Sequence, residues 1–379
     1  MRFRNLCTCL AVLACLALPS RAQNAPPATP APAPAPPADA PWTIGDIKFS
    51  GLVDGYYSYN SNHPASGNNG LYNFDVKANQ FSLNMAKISL MHAAEPVGFQ
   101  IDLGFGRAFE IVHQFEPNTG PSFMRNVEQA FVSWKPAKTG GLQLDFGKFV
   151  TSAGAEVIES HANWNYSRSL LFSWAIPYYH FGLRATEPIG KHFTGGFQLV
   201  NGWNNVEDLN SGKTIGVVGN FTSSKVSWMN NYYTGPEKPG TNNGFRNLYD
   251  TTLLLTPSSK FNAYLNFDYG RDKNVGAGSA QWVGFAGATK FQMTGASALA
   301  LRGEWFNDRD GFNIITPDGK GQAYKEITAT YEYKWTKGLL SRIEYRRDWA
   351  DRKFFERGTG GLRSEQNTLT IGIIGYFGM

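Results

Sequence analysis

The sequence predicts an all-β fold, a transmembrane up-and-down antiparallel β-barrel of about sixteen strands within a range of fourteen to eighteen. Three observations predict it. Many segments alternate apolar and polar residues, and the connections between them alternate short and long. After the N-terminus, no stretch approaches the roughly 18 consecutive apolar residues that a membrane helix needs.

Residues 1–22 read as a secretory signal peptide, with Arg2 and Arg4, an apolar run from Leu6 to Leu18, and small Ser20 and Ala22 before the expected cut. Cys7, Cys9 and Cys15 all lie there, so the remainder has neither a disulfide framework nor a thiolate metal site. A rival reading lipidates Cys15, but Leu13 is bulky for its place in such a cleavage box. Removing 1–22 lowers the formal charge from +5 to +2, too weak to argue for nucleic acid. Residues 23–41 form a Pro/Ala-rich linker with eight of the 20 prolines, an extended tether unable to pack a core. The barrel domain spans 42–379.

Successive side chains of a strand point to opposite faces, so strict alternation marks a two-faced strand. Segment 79–94 puts Phe81, Leu83 and Met85 on one parity but Ile88 and Leu90 on the other, which predicts a bulge near Lys87. Segment 97–106 sets Val97, Phe99, Ile101, Leu103 and Phe105 against Gln100 and Asp102. In FNAYLNFDYG (261–270), Phe261, Ala263, Leu265, Phe267 and Tyr269 oppose Asn262, Tyr264, Asn266 and Asp268. Further on, Leu299, Leu301, Gly303 and Trp305 oppose Ala300, Arg302 and Glu304; Ile327, Ala329, Tyr331, Tyr333 and Trp335 oppose Glu326, Thr328, Thr330, Glu332 and Lys334. The final segment sets Leu369, Ile371, Ile373 and Phe377 against Thr368, Thr370 and Tyr376.

Seven connections are short, from EPVG at 95–98 to WTKGL at 335–339. The long ones are 61–78, 107–124, 151–177, 203–213, 235–246, 271–281, 308–323 and 351–365. Sixteen strands with both termini on the short side give this alternation, which membrane barrels adopt because periplasmic turns are short and outer loops long. Aromatics gather at both ends: Trp134, Phe193, Phe261, Phe291, Trp335 and Phe377 beside short turns, and Tyr57, Phe105, Trp203, Tyr232, Tyr269, Trp282, Trp305 and Trp349 toward long loops. The apolar parity is then expected to face lipid and the polar parity a wet lumen.

The runs GKFVTSAGAEVIESHANWNYSRSLLF (147–172), VGFQIDLGFG (97–106), LRGEWFNDRDG (301–311) and RIEYRRDW (342–349), with a last strand reaching Tyr376-Phe377 before Gly378 and Met379, resemble the outer-membrane β-barrel porin-2 family. The resemblance covers most of the chain after residue 46. It implies a bacterial outer-membrane, porin-like barrel and no catalytic residues.

The polar parity carries the residues expected to line the pore: Asp102, Arg184, Asn262, Asn266, Asp268, Arg302, Glu304, Glu326, Glu332, Lys334, Arg342, Glu344, Arg346 and Asp348. Over 296–350 the signs nearly balance, which argues for a mutually neutralised, hydrated wall and against strong ion selectivity. Segment 151–177 is oddly apolar for an exposed loop. It is expected to fold into the barrel and narrow it, with Glu156, Glu159, His161 and Arg168 as its polar lining; the competing account is an external cap.

Enzyme readings find little support. His63, His92, His113, His161, His180 and His192 are scattered without HExxH spacing, and there is no GxSxG elbow or phosphate loop. Asp308, Asp310 and Asn313 read as a turn in preference to a calcium site. No cofactor and no metal is expected. The sequence reads best as a diffusion channel for small hydrophilic solutes or ions, seated in outer-membrane lipid and compatible with a homotrimer. The alternatives are a plugged barrel with an adhesive or anchoring role, and a secreted soluble all-β binding protein.

Overall fold

The structure, a computed structural model, describes residues 42–114, 116, 122–275 and 278–378. The signal segment 1–22 with Cys15, the linker 23–41, Met379 and part of the loop 107–124 lie outside the described residues.

Sixteen strands close into one barrel: β1 (Ile47–Asn60), β2 (Phe81–His92), β3 (Val97–Phe105), β4 (Val127–Trp134), β5 (Gln143–Val150), β6 (Tyr179–Ile189), β7 (Phe193–Val200) and β8 (Thr214–Thr222) form one half. The other half comprises β9 (Val226–Lys238), β10 (Thr241–Leu255), β11 (Phe261–Val275), β12 (Gly278–Gln292), β13 (Ser297–Asp308), β14 (Gln322–Thr336), β15 (Leu339–Ala350) and β16 (Glu365–Phe377). Each strand pairs antiparallel with its sequence neighbours. Closure is made by β16 on β1, with Ile373 opposite Gly55 and Thr370 opposite Ser58. A short ribbon, Trp42–Ile44, folds back on the start of β1 and brings the Trp42 ring 4.7 Å from Phe377.

The two faces are inverted relative to a soluble protein. Leu265, Phe285 and Ile373 on the outer face are 60%, 54% and 56% exposed, whereas Asp268, Glu326 and Arg342 on the inner face are at most 1% exposed. Hydrocarbon has no water to satisfy a polar group, so an apolar outer parity and a sheet without edges are what a membrane demands of strands. An aromatic pair such as Phe267–Phe285, 4.7 Å apart, packs on this outer surface.

Three details depart from the sequence reading. The bulge lies at Asn84, not at Lys87: Asp54 pairs with Met85 and Gly55 with Leu83, so Asn84 is the extra residue and both it and Met85 turn inward. Trp282 and Trp203 do not belong to the outer belt. Trp282 has inner parity and donates its indole N–H to Ala175 O at 3.0 Å, with Trp203 edge-on to it from a loop. A Cβ on Gly270 would stand 1.8 Å from that indole, so the glycine on the neighbouring strand is what admits it.

The segments 235–246 and 271–281 are not long loops. β9 continues to Lys238 and β10 begins at Thr241, while β11 reaches Val275 and β12 begins at Gly278. Their Gly/Asn/Asp content signals turns, yet ladder amides pair whatever the side chain. The extension is held on its inner side by Asp272, which meets Arg246 at 2.8 Å and Lys238 at 3.3 Å. The Arg246 guanidinium also lies 5.0 Å and 5.1 Å from the rings of Trp203 and Phe312.

Placing a charge on the outer face in mid-strand is expected to be costly. Ile371→Arg should lower the stability of the barrel refolded into vesicles by about 2–4 kcal/mol, the range for cationic residues at the bilayer midplane. A denaturant titration reads this, and an unchanged midpoint contradicts the inversion.

Candidate functional site

Segment 151–178, between β5 and β6, enters the lumen and spans it. Against β13–β15 it meets the wall's charges. Arg302 Nη1 contacts Glu156 Oε1 and Ser167 O, both at 2.8 Å, while its Nε lies 2.8 Å from Glu326 and 3.0 Å from Glu304. Arg342 pairs with Glu332 at 2.6 Å and donates to the carbonyls of Ser160, Asn163 and Asn165. Arg346 pairs with Asp348 at 2.7 Å and donates to Arg168 O at 2.8 Å. In the opposite sense, Glu344 accepts the Tyr166 and Ser167 N–H groups at 2.5 Å and 2.9 Å, and Glu304 accepts Leu171 N–H at 3.2 Å.

The segment is irregular, so its own amides and carbonyls lack a ladder. An unpaired buried backbone group costs as much as a lost hydrogen bond. A guanidinium with five donors serves several carbonyls at once, and a carboxylate serves adjacent amides. Glycines complete the fit. A Cβ at Gly372 would stand 2.3 Å from the Tyr166 ring, and one at Gly284 would stand 2.7 Å from Leu171.

Past the closure seam, on β1–β4, Glu159 pairs with Lys87 of β2, whose ammonium also meets Glu128 and lies 3.4 Å from Asp102. Ser160 Oγ and Tyr166 OH donate to Asp54 of β1 at 2.6 Å and 2.7 Å. His161 stacks on Tyr376 at 5.3 Å, and burial pushes its imidazole down to about 4. Arg168 turns back on its own segment, donating to the carbonyls of Val157, Ile158 and Tyr166, with its guanidinium 4.7 Å from the Phe74 ring.

Other expected lining residues stand apart from this network. On β11, Asn262 and Asn266 are buried on the inner face; Asn266 donates to Asp250 at 2.9 Å, and Asp268 lies opposite Asp250 in the ladder. Arg184 pairs with Asp145 at 2.8 Å, and Lys334 is half-buried near the short-turn end. Among the described residues no group of three or more His, Cys, Asp or Glu is placed to hold a metal ion. Asp308 accepts the backbone N–H groups of Phe312, Asn313 and Ile314 at 2.8–3.0 Å, the geometry of a turn.

Parity reasoning did not isolate Lys87, Glu128, Asp54 or Asp145, nor the inward fold of segment 61–80. Asn73 of that segment donates to Ser173 O at 2.7 Å, and Trp174 donates back to Leu71 O at 3.0 Å. Leu71, Phe74, Phe109, Leu171, Phe172, Trp282 and Phe306 share one apolar cluster within the barrel. The run Leu71-Tyr72 and Phe74, apolar inside a loop, was the available signal.

Burial pushes the Asp75 carboxyl of segment 61–80 up to about 7, and Glu344 acts in the same direction against Arg168 and Arg346. A carboxyl held protonated by the fold gives stability that is present below its unfolded pKa near 4 and is lost as pH rises through about 7. Asp75→Asn should therefore raise the thermal midpoint of the barrel at pH 8 more than at pH 5; an equal effect at both contradicts this account.

Comparisons with known proteins agree with this architecture. The outer membrane channel DcaP of Acinetobacter baumannii superposes with a TM-score of 0.59 at 8% identity, covering 87% of this chain and 97% of that one. The OmpF of Salmonella typhi, in complex with daunomycin, gives 0.58 at 14% identity, covering 88% and 99%. An anion-selective porin from Comamonas acidovorans gives 0.56 at 11% identity, covering 87% and 99%. At such identities these likenesses speak for the fold. No curated protein matches the chain in sequence. Residues 46–377, which hold all sixteen strands of the closed barrel, match the family described as "Putative beta-barrel porin-2, OmpL-like", and the chain belongs to that family.

Proposed function

We propose that the protein is an outer-membrane porin, a water-filled channel for passive diffusion of small hydrophilic solutes, narrowed by segment 151–178. One observation carries the reading: a closed sixteen-strand barrel with a polar inner face retains cavities of about 400 Å³ and 330 Å³ beside the inserted segment. About eight strands would fill the lumen with side chains, whereas sixteen leave room for water. In this reading the wall charges of β13–β15 are neutralised by the segment, and the passage runs along the opposite wall. A trimer fits the reading, since a similar barrel, OmpT of Vibrio cholerae, is described in a trimer form.

A second reading is favoured by the apolar cluster inside the barrel, which extends from Leu52 to Phe355. Such a core suits a plugged barrel with an anchoring or adhesive role. Current through the purified protein in a planar bilayer separates the two: discrete conductance steps support the porin, and a silent, correctly folded barrel supports the plug.

Deleting residues 155–170 should leave a heat-modifiable barrel whose single-channel conductance is larger, because the arginines released from the segment become hydrated in an open lumen. Lys87→Met, which removes the ammonium holding Glu159, should make the current noisier without abolishing folding. An unchanged conductance in the deletion variant removes the narrowing role.

A further inference from the structure

The charges of the inner wall are not equally available to water. Two adjoining cavities, about 400 Å³ and 330 Å³, occupy the short-turn half of the lumen along β1–β8 and share Lys48 and Gln100 in their linings. Their acids are engaged. Asp145, with a side chain 2% exposed, receives Arg184 at 2.8 Å and 2.9 Å and Ser133 Oγ at 2.7 Å. Asp102 receives Gln129 at 2.6 Å and faces Lys87 at 3.4 Å, and Glu159 is bound by the same Lys87.

The cations differ. Lys48 is exposed and Lys135 half-buried, and neither ammonium meets a carboxylate or another acceptor among the described residues. Beyond them, the rim of short turns carries exposed Lys138, Lys191, Lys225 and Lys260, each in a different turn, against exposed Asp46, Glu95 and Glu187. The near balance of sign read from the sequence over 296–350 therefore does not describe the passage. Those arginines and carboxylates are covered by segment 151–178, and the water along the opposite wall faces lysines.

We infer that this mouth is a cationic vestibule and that the channel passes small anions in preference to cations. The inference rests on the porin reading and adds its substrate class. Fixed charges of one sign in a confined, partly low-dielectric passage raise the local concentration of the opposite ion, and charged rings at a constriction select by the same means. The aromatic residues beside the same turns, Trp134 next to Lys135 and Phe261 next to Lys260, fix this rim at the membrane boundary, where a permeating ion enters or leaves.

The test is the reversal potential of the purified full chain in a planar bilayer under a KCl gradient, with the dilute side at about 0.1 M, where the screening length is about 10 Å. The expected sign is that of chloride, with a chloride-to-potassium permeability ratio of roughly 3 or more that falls as both sides are made more concentrated. Lys48→Glu combined with Lys135→Glu should carry the potential toward potassium while conductance steps persist, and Lys48→Gln with Lys135→Gln should fall between. A pore that conducts without chloride preference, or whose preference survives the double reversal, overturns the inference and leaves the porin reading standing. A folded barrel that carries no current overturns both.

Discussion

The whole molecule follows from one constraint: a peptide group in hydrocarbon has nothing to bond except another peptide group. Sixteen strands satisfy it only when the last pairs with the first, as Thr370 does with Ser58 and Ile373 with Gly55. Closure has two consequences. It fixes which parity of every strand meets lipid, so Leu265 and Ile371 lie outside and Asn266 and Thr370 inside. It also encloses a volume too wide for side chains to fill, and what occupies that volume becomes a separate problem for the sequence to solve.

The solution on one side is a segment of chain. Segment 151–178 has the backbone of a loop and the surroundings of a core, a combination that ordinarily leaves amides and carbonyls unpaired. Here the wall supplies the missing partners through Arg302, Arg342, Arg346 and Glu344. Each buried arginine is itself acceptable only because carboxylates and carbonyls surround it; an isolated charge in such a place would be strongly destabilising. Wall and segment thus depend on each other, which makes the pairing geometry more specific than an apolar filling would be.

How much of this was legible in the sequence depends on the range of the interaction. Period-two alternation is local, so the strand from Phe261 and the strand from Gln322 could be read from a few residues each, and the inner parity of Arg302 and Glu326 with them. The order of short and long connections needed only counting. What stayed hidden was set by partners far away in the chain. The bulge at Asn84 flips the parity of Met85 and so obscured Lys87, the residue on which the far anchor of the segment depends. Trp282 resembles a belt residue by position, and only its parity and the bare Gly270 beside it show that it points inward. The extension of β9–β12 beyond the expected boundaries defeated composition altogether, because Asn and Asp rank as turn formers even where a ladder carries them.

The inner faces of the two walls also differ in size, and that difference bears on whether the lumen is shared or stopped. On β13–β15 the inward positions hold long charged side chains: Arg302, Glu304, Arg342 and Arg346 meet the segment, and Glu326 pairs with Arg302. Across the lumen the larger cavity is bordered by the short or uncharged Thr186, Thr194, Gly196, Gln198 and Asn220, beside the charged Lys48, Lys135, Asp145 and Arg184. A plug packed against every wall would call for contact partners on both sides, and glycine and threonine offer few. Small polar residues instead leave volume and present hydroxyl and amide groups to it, which is the lining that water and passing solutes require. The interior is thus divided: β13–β15 bind most of the segment's backbone, Lys87 and Asp54 fix its flank, and β6–β8 hydrogen-bond to it through Gln198 on Ser152 and border open volume.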